Sequence, residues 1–208
     1  MNELRCLIIL PFAAMLAGGQ SAHKSSASNL SDQAEALTRT LYKQVVTHKP
    51  IGTMRTADRK IFAPYLSEML NRRMSSARAC EDDFFRQHPQ KPDLPEKPPF
   101  AWLELGTFSG GDDEDALRSF QIEKTESKQD GSVQVYVRLR WGSPQEKPWF
   151  TRVAVVVTRE NSRFVVNDLI YMGEESDPYN QRLSEALSTG CRSGHWVRYD
   201  DPGNKPKQ

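Results

Sequence analysis

The chain has 208 residues, of which 38% are hydrophobic and 9% aromatic, and its formal net charge is +1 at pH 7. This length corresponds to one domain with or without tails, and the apolar fraction is sufficient for a packed core. A nearly neutral charge gives the whole molecule no strong attraction to nucleic acid or to an anionic membrane. We therefore expect no nucleic-acid partner.

The N-terminus has the pattern of a signal peptide. Arg5 supplies a weak positive charge, an apolar run follows from Cys6 to Ala17, and small residues come next. This pattern predicts a signal peptide over residues 1–19, with the mature chain beginning at about Gln20 or Ala22. The apolar run is too short to span a bilayer, so we predict a periplasmic or secreted protein without a membrane span. A cytosolic protein with an apolar N-terminal strand is the alternative.

Cysteine usage agrees with export. Removal of the signal peptide takes away Cys6 and leaves Cys80 and Cys191. Two cysteines in an oxidising compartment predict one disulfide between them. Two free buried thiols are the alternative.

Two amphipathic helices are predicted in the first half of the chain. A disordered, Ser-rich lead-in over residues 20–29 precedes Ser31, which is a suitable N-cap for the first helix. The first helix ends near His48, and its apolar stripe consists of Leu30, Ala34, Leu37, Leu41 and Val45. Pro64 starts a longer helix that ends before Pro89. The stripe of this second helix consists of Leu66, Leu70, Met74, Ala77 and Phe84.

A Pro-rich segment separates the helices from the predicted strands. Residues 88–99 contain five prolines, which indicates a stiff, extended connector or, alternatively, a ligand for an aromatic groove. Strands are predicted at residues 100–108, 117–125 and 132–141, with an acidic, solvated loop at residues 109–115. The third strand alternates cleanly, with Val133, Val135, Val137, Leu139 and Trp141 on its inner side.

Residues 149–172 predict a β-hairpin, because two stretches rich in β-branched and aromatic residues flank a polar turn. The residues of the second strand that share one face are Phe164, Val166, Asp168 and Ile170. A two-residue turn at Glu160-Asn161 would pair Val153 with Asp168 and place this carboxylate in an apolar row. A turn longer by one residue would put Asp168 diagonal to Arg152. We favour the first register because it joins the apolar rows.

The C-terminal region contains further predicted elements. Asp177-Pro178 opens a short helix that ends at Gly190. Residues 195–199 predict an edge strand, and residues 200–208 a disordered tail. All elements therefore belong to a single domain over residues 30–199.

Helices followed by mostly hairpin-connected strands predict the α+β class, with N-terminal helices packed against a curved antiparallel sheet and a C-terminal short helix. Two motifs carry a resemblance over about residues 30–190: Tyr65-Leu66-Ser67 and the aromatic-x-x-x-Asp-x-Ile strand from Phe164 to Ile170. The chain resembles the cystatin-like cone fold of the nuclear-transport-factor and ketosteroid-isomerase superfamily, and within it exported bacterial domains of unknown function. The resemblance implies a sheet curled around the long helix, in a fold that supports enzymes and plain binding modules alike.

Asp168 is the candidate catalytic residue. In ketosteroid-isomerase-like enzymes a buried carboxyl in the mouth of the cone acts as acid or base, because burial raises a carboxyl pKa. The resemblance thus implies a small-molecule enzyme as one function. The alternative is a structural Asp paired with an arginine or a helix N-terminus. No histidine pair has metal-ligand spacing and no nucleophile motif is present, so we expect no metal and no cofactor.

The outward residues of the strands form an arginine-rich face. If Val133 and Val153 both point inward, this face holds Tyr136, Arg138, Arg140, Arg152 and Arg163, interleaved with Phe150, Val156, Val165 and Leu169. A face both apolar and rich in arginine is typical of a protein–protein interface, and a solvated sheet surface is the alternative. We therefore predict an exported, non-catalytic binding or protein-interaction module, monomeric or homodimeric, whose ligand is a protein or a small molecule.

Overall fold

The computed structural model describes residues 21–89, 100, 104–111, 117–143, 145, 147–174 and 178–197. The predicted signal peptide over residues 1–19 lies outside these residues, as does the predicted tail over residues 200–208. Most of the Pro-rich segment and of the acidic loop lies outside them as well.

The chain has the α+β class that the sequence predicts, with helices first and a curved antiparallel five-stranded sheet after them. The helical elements are α1 (Ser21–His48), α2 (Thr56–Phe62), a 3-10 turn (Ala63–Tyr65), α3 (Glu68–Gln87) and the single turn α4 (Leu183–Ala186). The strands are β1 (Ser119–Ser127), β2 (Val133–Trp141), β3 (Trp149–Glu160), β4 (Arg163–Glu174), β5 (Pro178–Arg182), β6 (Cys191–Arg192) and β7 (His195–Trp196). The sheet order is β1-β2-β3-β4-β5, and β6 pairs with β7 separately.

Helix α1 packs on the inner side of the sheet through its predicted stripe, and Ala34, Leu41 and Val45 are at most 2% exposed. The helix ends at His48 as predicted. It begins at Ser21, however, inside the segment predicted to be a disordered lead-in, so Ser31 is not its N-cap. Each residue added to an existing helix contributes one hydrogen bond, and a polar sequence can therefore extend a helix that packing has already stabilised.

Helix α3 begins at Glu68, and Ser67 is its N-cap because the N–H of Leu70 donates to Ser67 Oγ at 3.1 Å. The predicted start, Pro64, lies instead in the 3-10 turn. Proline fits the first turn of either helix type since its missing N–H needs no partner there. The predicted stripe is buried at no more than 2% exposure and consists of Leu66, Leu70, Met74, Ala77 and Phe84.

Strand β2 alternates as predicted. Its inward side chains are at most 2% exposed and consist of Val133, Val135, Val137, Leu139 and Trp141. Full burial of one such side chain contributes about 1.5–3 kcal/mol. These residues join side chains of α1, α2 and α3 in one core. The inner side of the sheet is therefore filled by the protein's own side chains.

The strand predicted at residues 100–108 is not found in its described part. Residues 104–109 form turns and a short bridge instead. Gly110 follows with a φ of 70°, and a Cβ at this position would lie 2.8 Å from the ring of Tyr171. Only glycine fits such a left-handed turn against an aromatic ring. The segment therefore packs as a compact loop rather than as a strand.

The hairpin of β3 and β4 has a two-residue turn, one residue later than predicted. Asn161 and Ser162 have φ values of 48° and 68°, the left-handed pair that a tight hairpin turn requires. Asparagine adopts this conformation far more readily than most residues. As a result, Val157 pairs with Val166 rather than with Phe164.

A β-bulge at Asn167 changes the faces of β4. Val166 and Asp168 pair with adjacent β3 residues although Asn167 separates them. The extra residue turns Asp168 to the outer side and Leu169 to the core. The predicted shared face of Phe164, Val166, Asp168 and Ile170 is therefore wrong for its last two members. A period-two pattern cannot reveal a bulge, because both faces of this strand are apolar enough to be buried.

The C-terminal region differs from its prediction. Strand β5 occupies the start of the helix predicted from Asp177-Pro178 to Gly190, and only the single turn α4 follows. Proline is tolerated as the first residue of a strand because no ladder hydrogen bond needs its N–H. The edge strand predicted at residues 195–199 is also corrected, since β7 pairs with β6 and not with the main sheet.

The predicted disulfide between Cys80 and Cys191 is confirmed, with a Cα–Cα distance of 5.9 Å. Cys80 lies in α3 and is fully buried, whereas Cys191 begins β6. The bond therefore fastens the C-terminal β6–β7 ribbon to the long helix.

We expect denatured, unreduced mature protein to show no free thiol in a thiol titration. The disulfide spans a sequence separation of 111 residues, so its reduction should lower the free energy of unfolding by up to about 4–5 kcal/mol in the chain-entropy model. Denaturant melts with and without reductant measure this difference. Two titratable thiols per chain would contradict the bond.

Candidate functional site

Asp168 lies on the outer side of β4 beside the bulge and is 5% exposed. Strand β5 pairs with β4 only from Ile170 onward, so the edge of β4 next to Asp168 has no strand neighbour. The end of β5 and the first turn of α4 lie beside the carboxylate instead.

Four donors surround the Asp168 carboxylate. Oδ1 accepts the backbone N–H of Leu169 at 2.9 Å and that of Ser184 at 3.1 Å. Oδ2 accepts the Ser184 hydroxyl at 2.8 Å and Nη1 of Arg182 at 3.1 Å. A carboxylate has about four lone-pair positions, and this protein fills all of them. Both structural partners considered for Asp168, an arginine and a helix start, are present.

Arg152, which the sequence suggested as the partner of Asp168, pairs with Glu123 instead. Its Nε lies 2.8 Å from one carboxylate oxygen and its Nη2 lies 3.2 Å from the other. Such a two-point contact is the preferred geometry for arginine and carboxylate. The true arginine partner, Arg182, could not be found from strand alternation because it belongs to the region predicted as a helix.

Two buried tyrosines hold the loop at residues 104–111. The hydroxyl of Tyr42 donates to the Phe108 carbonyl at 2.8 Å, and that of Tyr171 donates to the Thr107 carbonyl at 2.7 Å. Burial, and secondarily Tyr171, raises the pKa of Tyr42 well above its ordinary value. The phenol of Tyr42 therefore stays protonated, and the two hydroxyls together hold this loop against the core.

The outer face of the sheet, defined by Tyr136, Arg138, Arg140 and Arg152 on β2 and β3, brings the predicted interface residues side by side. Nε of Arg138 lies 3.9 Å from Glu123, which also binds Arg152. The Arg138 guanidinium stands 3.8 Å from the centre of the Phe150 ring, a cation–π contact. Arg140 is exposed and forms no ion pair with another described residue.

Tyr136 belongs to a charged cluster at one end of the outer face. Its hydroxyl lies 3.1 Å from the Glu126 carboxylate, and the Lys124 ammonium lies 4.2 Å from its ring centre. Hydrogen bonds from Lys124 and then from Lys128 lower the pKa of Glu126 to about 2. Because exposed ion pairs contribute little to stability, this cluster mainly orders the surface.

The outer face is less apolar than the sequence predicted. Leu169 points into the core, and Val156 and Val165 are buried at 7% and 0% exposure. Arg163 lies at the far end of β4 and donates to the Pro64 carbonyl at 3.2 Å, so it contacts the 3-10 turn. Arg140 is the exposed arginine of β2 and β3 on this face, and Arg138 and Arg152 are half-buried beside it.

A cleft that the sequence did not reveal lies between the end of α1, the segment of residues 49–59 and α3, with a volume of ≈ 610 Å³. Its charged lining includes Lys49, Arg55, Arg59, Arg78 and Glu81. These side chains come from three separate segments, and no motif connects them. The helix-breaking Pro50-Ile51-Gly52 is the sole sequence signal, and it indicates a loop rather than a binding site.

In the described parts of the chain no helix combines the length and apolar character that a membrane span requires. The same parts contain no group of three or more His, Cys, Asp or Glu side chains that could hold a metal ion. Comparisons with protein-family models, with curated proteins and with solved structures find no match to this chain.

Proposed function

We propose that the chain is an exported, non-catalytic binding module with a cystatin-like cone fold. The Cys80–Cys191 disulfide supports export, because such bonds persist in oxidising compartments. Helices that precede a curved antiparallel sheet support the fold, since this is the element order of the cone.

The observation that carries the non-catalytic proposal is the complete engagement of Asp168 by four hydrogen bonds. A general acid or base needs an oxygen within hydrogen-bond reach of its substrate. A substrate at Asp168 would have to displace Arg182 or Ser184. Asp168 also lies on the outer side of the sheet, whereas the alternative enzyme would need its carboxyl to face the interior, which the described core side chains fill.

The outer face is the binding surface in this proposal, and its partner is a protein with acidic side chains. Arginine is enriched at protein interfaces because its planar guanidinium binds carboxylates at two points and stacks on rings. Arg138 is already ordered by Phe150 and Glu123, so it loses little freedom on binding. Arg140 is exposed beside it and offers all its donors.

We expect Asp168→Asn to lower the free energy of unfolding by about 1–3 kcal/mol, because the amide leaves Arg182 and Ser184 without their charged acceptor. Denaturant melts at neutral pH measure the effect. The matched control is Glu185→Gln, a nearby exposed carboxylate on α4 that should leave the midpoint unchanged. An unchanged or raised midpoint for Asp168→Asn would contradict the structural role of this carboxyl and would favour a role as acid or base.

The binding surface is tested by a photo-reactive side chain placed at position 140 in the source organism. Its adduct identifies the partner, which is then purified and titrated. Arg140→Glu should weaken binding at least about tenfold, mostly through slower association, because a rim charge steers the encounter. Arg72→Glu on the exposed side of α3 is the control and should bind as the wild type does.

Three results would contradict the interface proposal. One is the same adduct from a photo-reactive group at position 72. Another is equal affinity of the Arg140→Glu and wild-type proteins for the partner. The third is an adduct between two copies of this chain, which would make the face a homodimer contact instead.

A further inference from the structure

We infer that the cleft between α1, residues 49–59 and α3 binds a small organic anion through Arg59 and Arg78. The cleft lies among the helices, apart from the outer face of the sheet, so this inference goes beyond the proposed function. Its volume of ≈ 610 Å³ falls within the range of about 300–1,000 Å³ that small-molecule sites occupy.

The charges that line the cleft leave an excess of positive charge. The four basic side chains are Lys49, Arg55, Arg59 and Arg78, and the three acidic ones are Asp58, Glu81 and Asp82. Glu81 is directed to the Thr53 hydroxyl at 3.0 Å rather than to an arginine. Burial, as the first cause, raises the pKa of Glu81, and the hydrogen bond from Thr53 opposes this shift.

Arg78 is a partly buried cation on which the carboxylates of Glu81 and Asp82 act only from beyond salt-bridge distance. Its Nη2 donates to the backbone carbonyls of Thr53 and Met54. Burial, and secondarily the positive charge of Arg59, lowers the pKa of Arg78. Among the described residues no carboxylate oxygen lies within 4.0 Å of either guanidinium. Two like charges with incomplete solvation are stabilised by an anion placed between them.

Several N–H donors of the Arg59 guanidinium have no acceptor among the described residues. Its Nη2 donates to Thr56 Oγ1 at 2.8 Å, and its buried Nε has no acceptor in the described structure. A guanidinium has five N–H donors in a fixed fork, so most of its hydrogen-bonding capacity is uncommitted. Carboxylate and phosphate groups match that fork at two points.

The loop that carries the cleft is held in a costly conformation. Lys49 and Met54 have φ values of 48° and 64°, and Gly52 lies between them with a φ of 56°. Left-handed conformations at residues other than glycine concentrate at ligand sites and need support from surrounding structure. Arg78 supplies that support by donating to the two successive carbonyls of Thr53 and Met54.

The rim of the cleft defines the rest of the ligand. Ile51 is 37% exposed, and among the described residues it is the exposed large hydrophobic side chain. It lines the cleft beside the basic residues. An anion with a compact apolar body therefore fits the site better than a bare inorganic ion, since it also covers Ile51.

The test titrates isotopically labelled wild-type protein by NMR with benzoate, phenyl phosphate, inorganic phosphate and the neutral benzamide at constant ionic strength. We expect saturable shifts confined to residues 49–59 and 78–82 with at least one of the two aromatic anions, weaker shifts with inorganic phosphate, and none with benzamide. A preference for benzoate identifies a carboxylate ligand, and a preference for phenyl phosphate identifies a phosphate ester.

Arg59→Gln should weaken the binding of the preferred anion at least about tenfold, which corresponds to 1.4 kcal/mol. Arg59→Lys keeps the positive charge but loses the planar guanidinium, so its affinity for the preferred anion should lie between those of the wild type and Arg59→Gln. Arg72→Gln, outside the cleft, should bind as the wild type does. Absence of saturable binding up to about 10 mM of every anion, shifts elsewhere in the chain, equal binding of benzamide, or equal affinity in Arg59→Gln would each overturn the inference. The wild-type shift map decides the question even if a variant fails to fold.

Discussion

The bulge at Asn167 is the constraint on which the C-terminal half of the domain depends. One extra residue in β4 sends Leu169 into the core and Asp168 to the outer side. The carbonyl of Val166, just before the bulge, accepts the N–H of Ser67 at 2.8 Å. The same irregularity therefore positions the N-cap of α3 and the carboxylate that receives α4. Bulges redirect side chains in this way at the edges of sheets.

Asp168 then connects β4 to the chain that returns from β5. A buried carboxylate without partners is strongly destabilising, and its four donors remove that cost. Arg182 is still 44% exposed, so the ion pair is partly solvated and its net contribution is modest. A fully hydrogen-bonded buried charge favours one geometry over competing ones. We interpret Asp168 as the group that sets where β5 ends and α4 begins.

The parts of the fold that follow from one-dimensional patterns were predictable. The stripes of α1 and α3, the alternation of β2 and the disulfide all depend on spacing or on cysteine count. The register of β4 was not predictable. Both faces of this strand carry apolar residues, namely Val165, Val166, Leu169 and Ile170, so the pattern is compatible with either register. The turn at Asn161-Ser162 and the bulge at Asn167 act in combination, and neither leaves a periodic signal. Residues 104–108 were predicted as the end of a strand, but tyrosine hydroxyls distant in sequence hold them in a loop.

The cleft could not be predicted from the sequence, because its lining residues come from separate segments of the chain. Its basic side chains come from the loop after α1, from α2 and from α3, and only the packing of these segments brings them together. Arg78 lies on α3 just before Cys80, the residue that the disulfide fastens to the C-terminal ribbon. Arg78 in turn donates to the backbone carbonyls of Thr53 and Met54. The covalent link thus fixes the helix whose Arg78 supports the strained loop of the cleft.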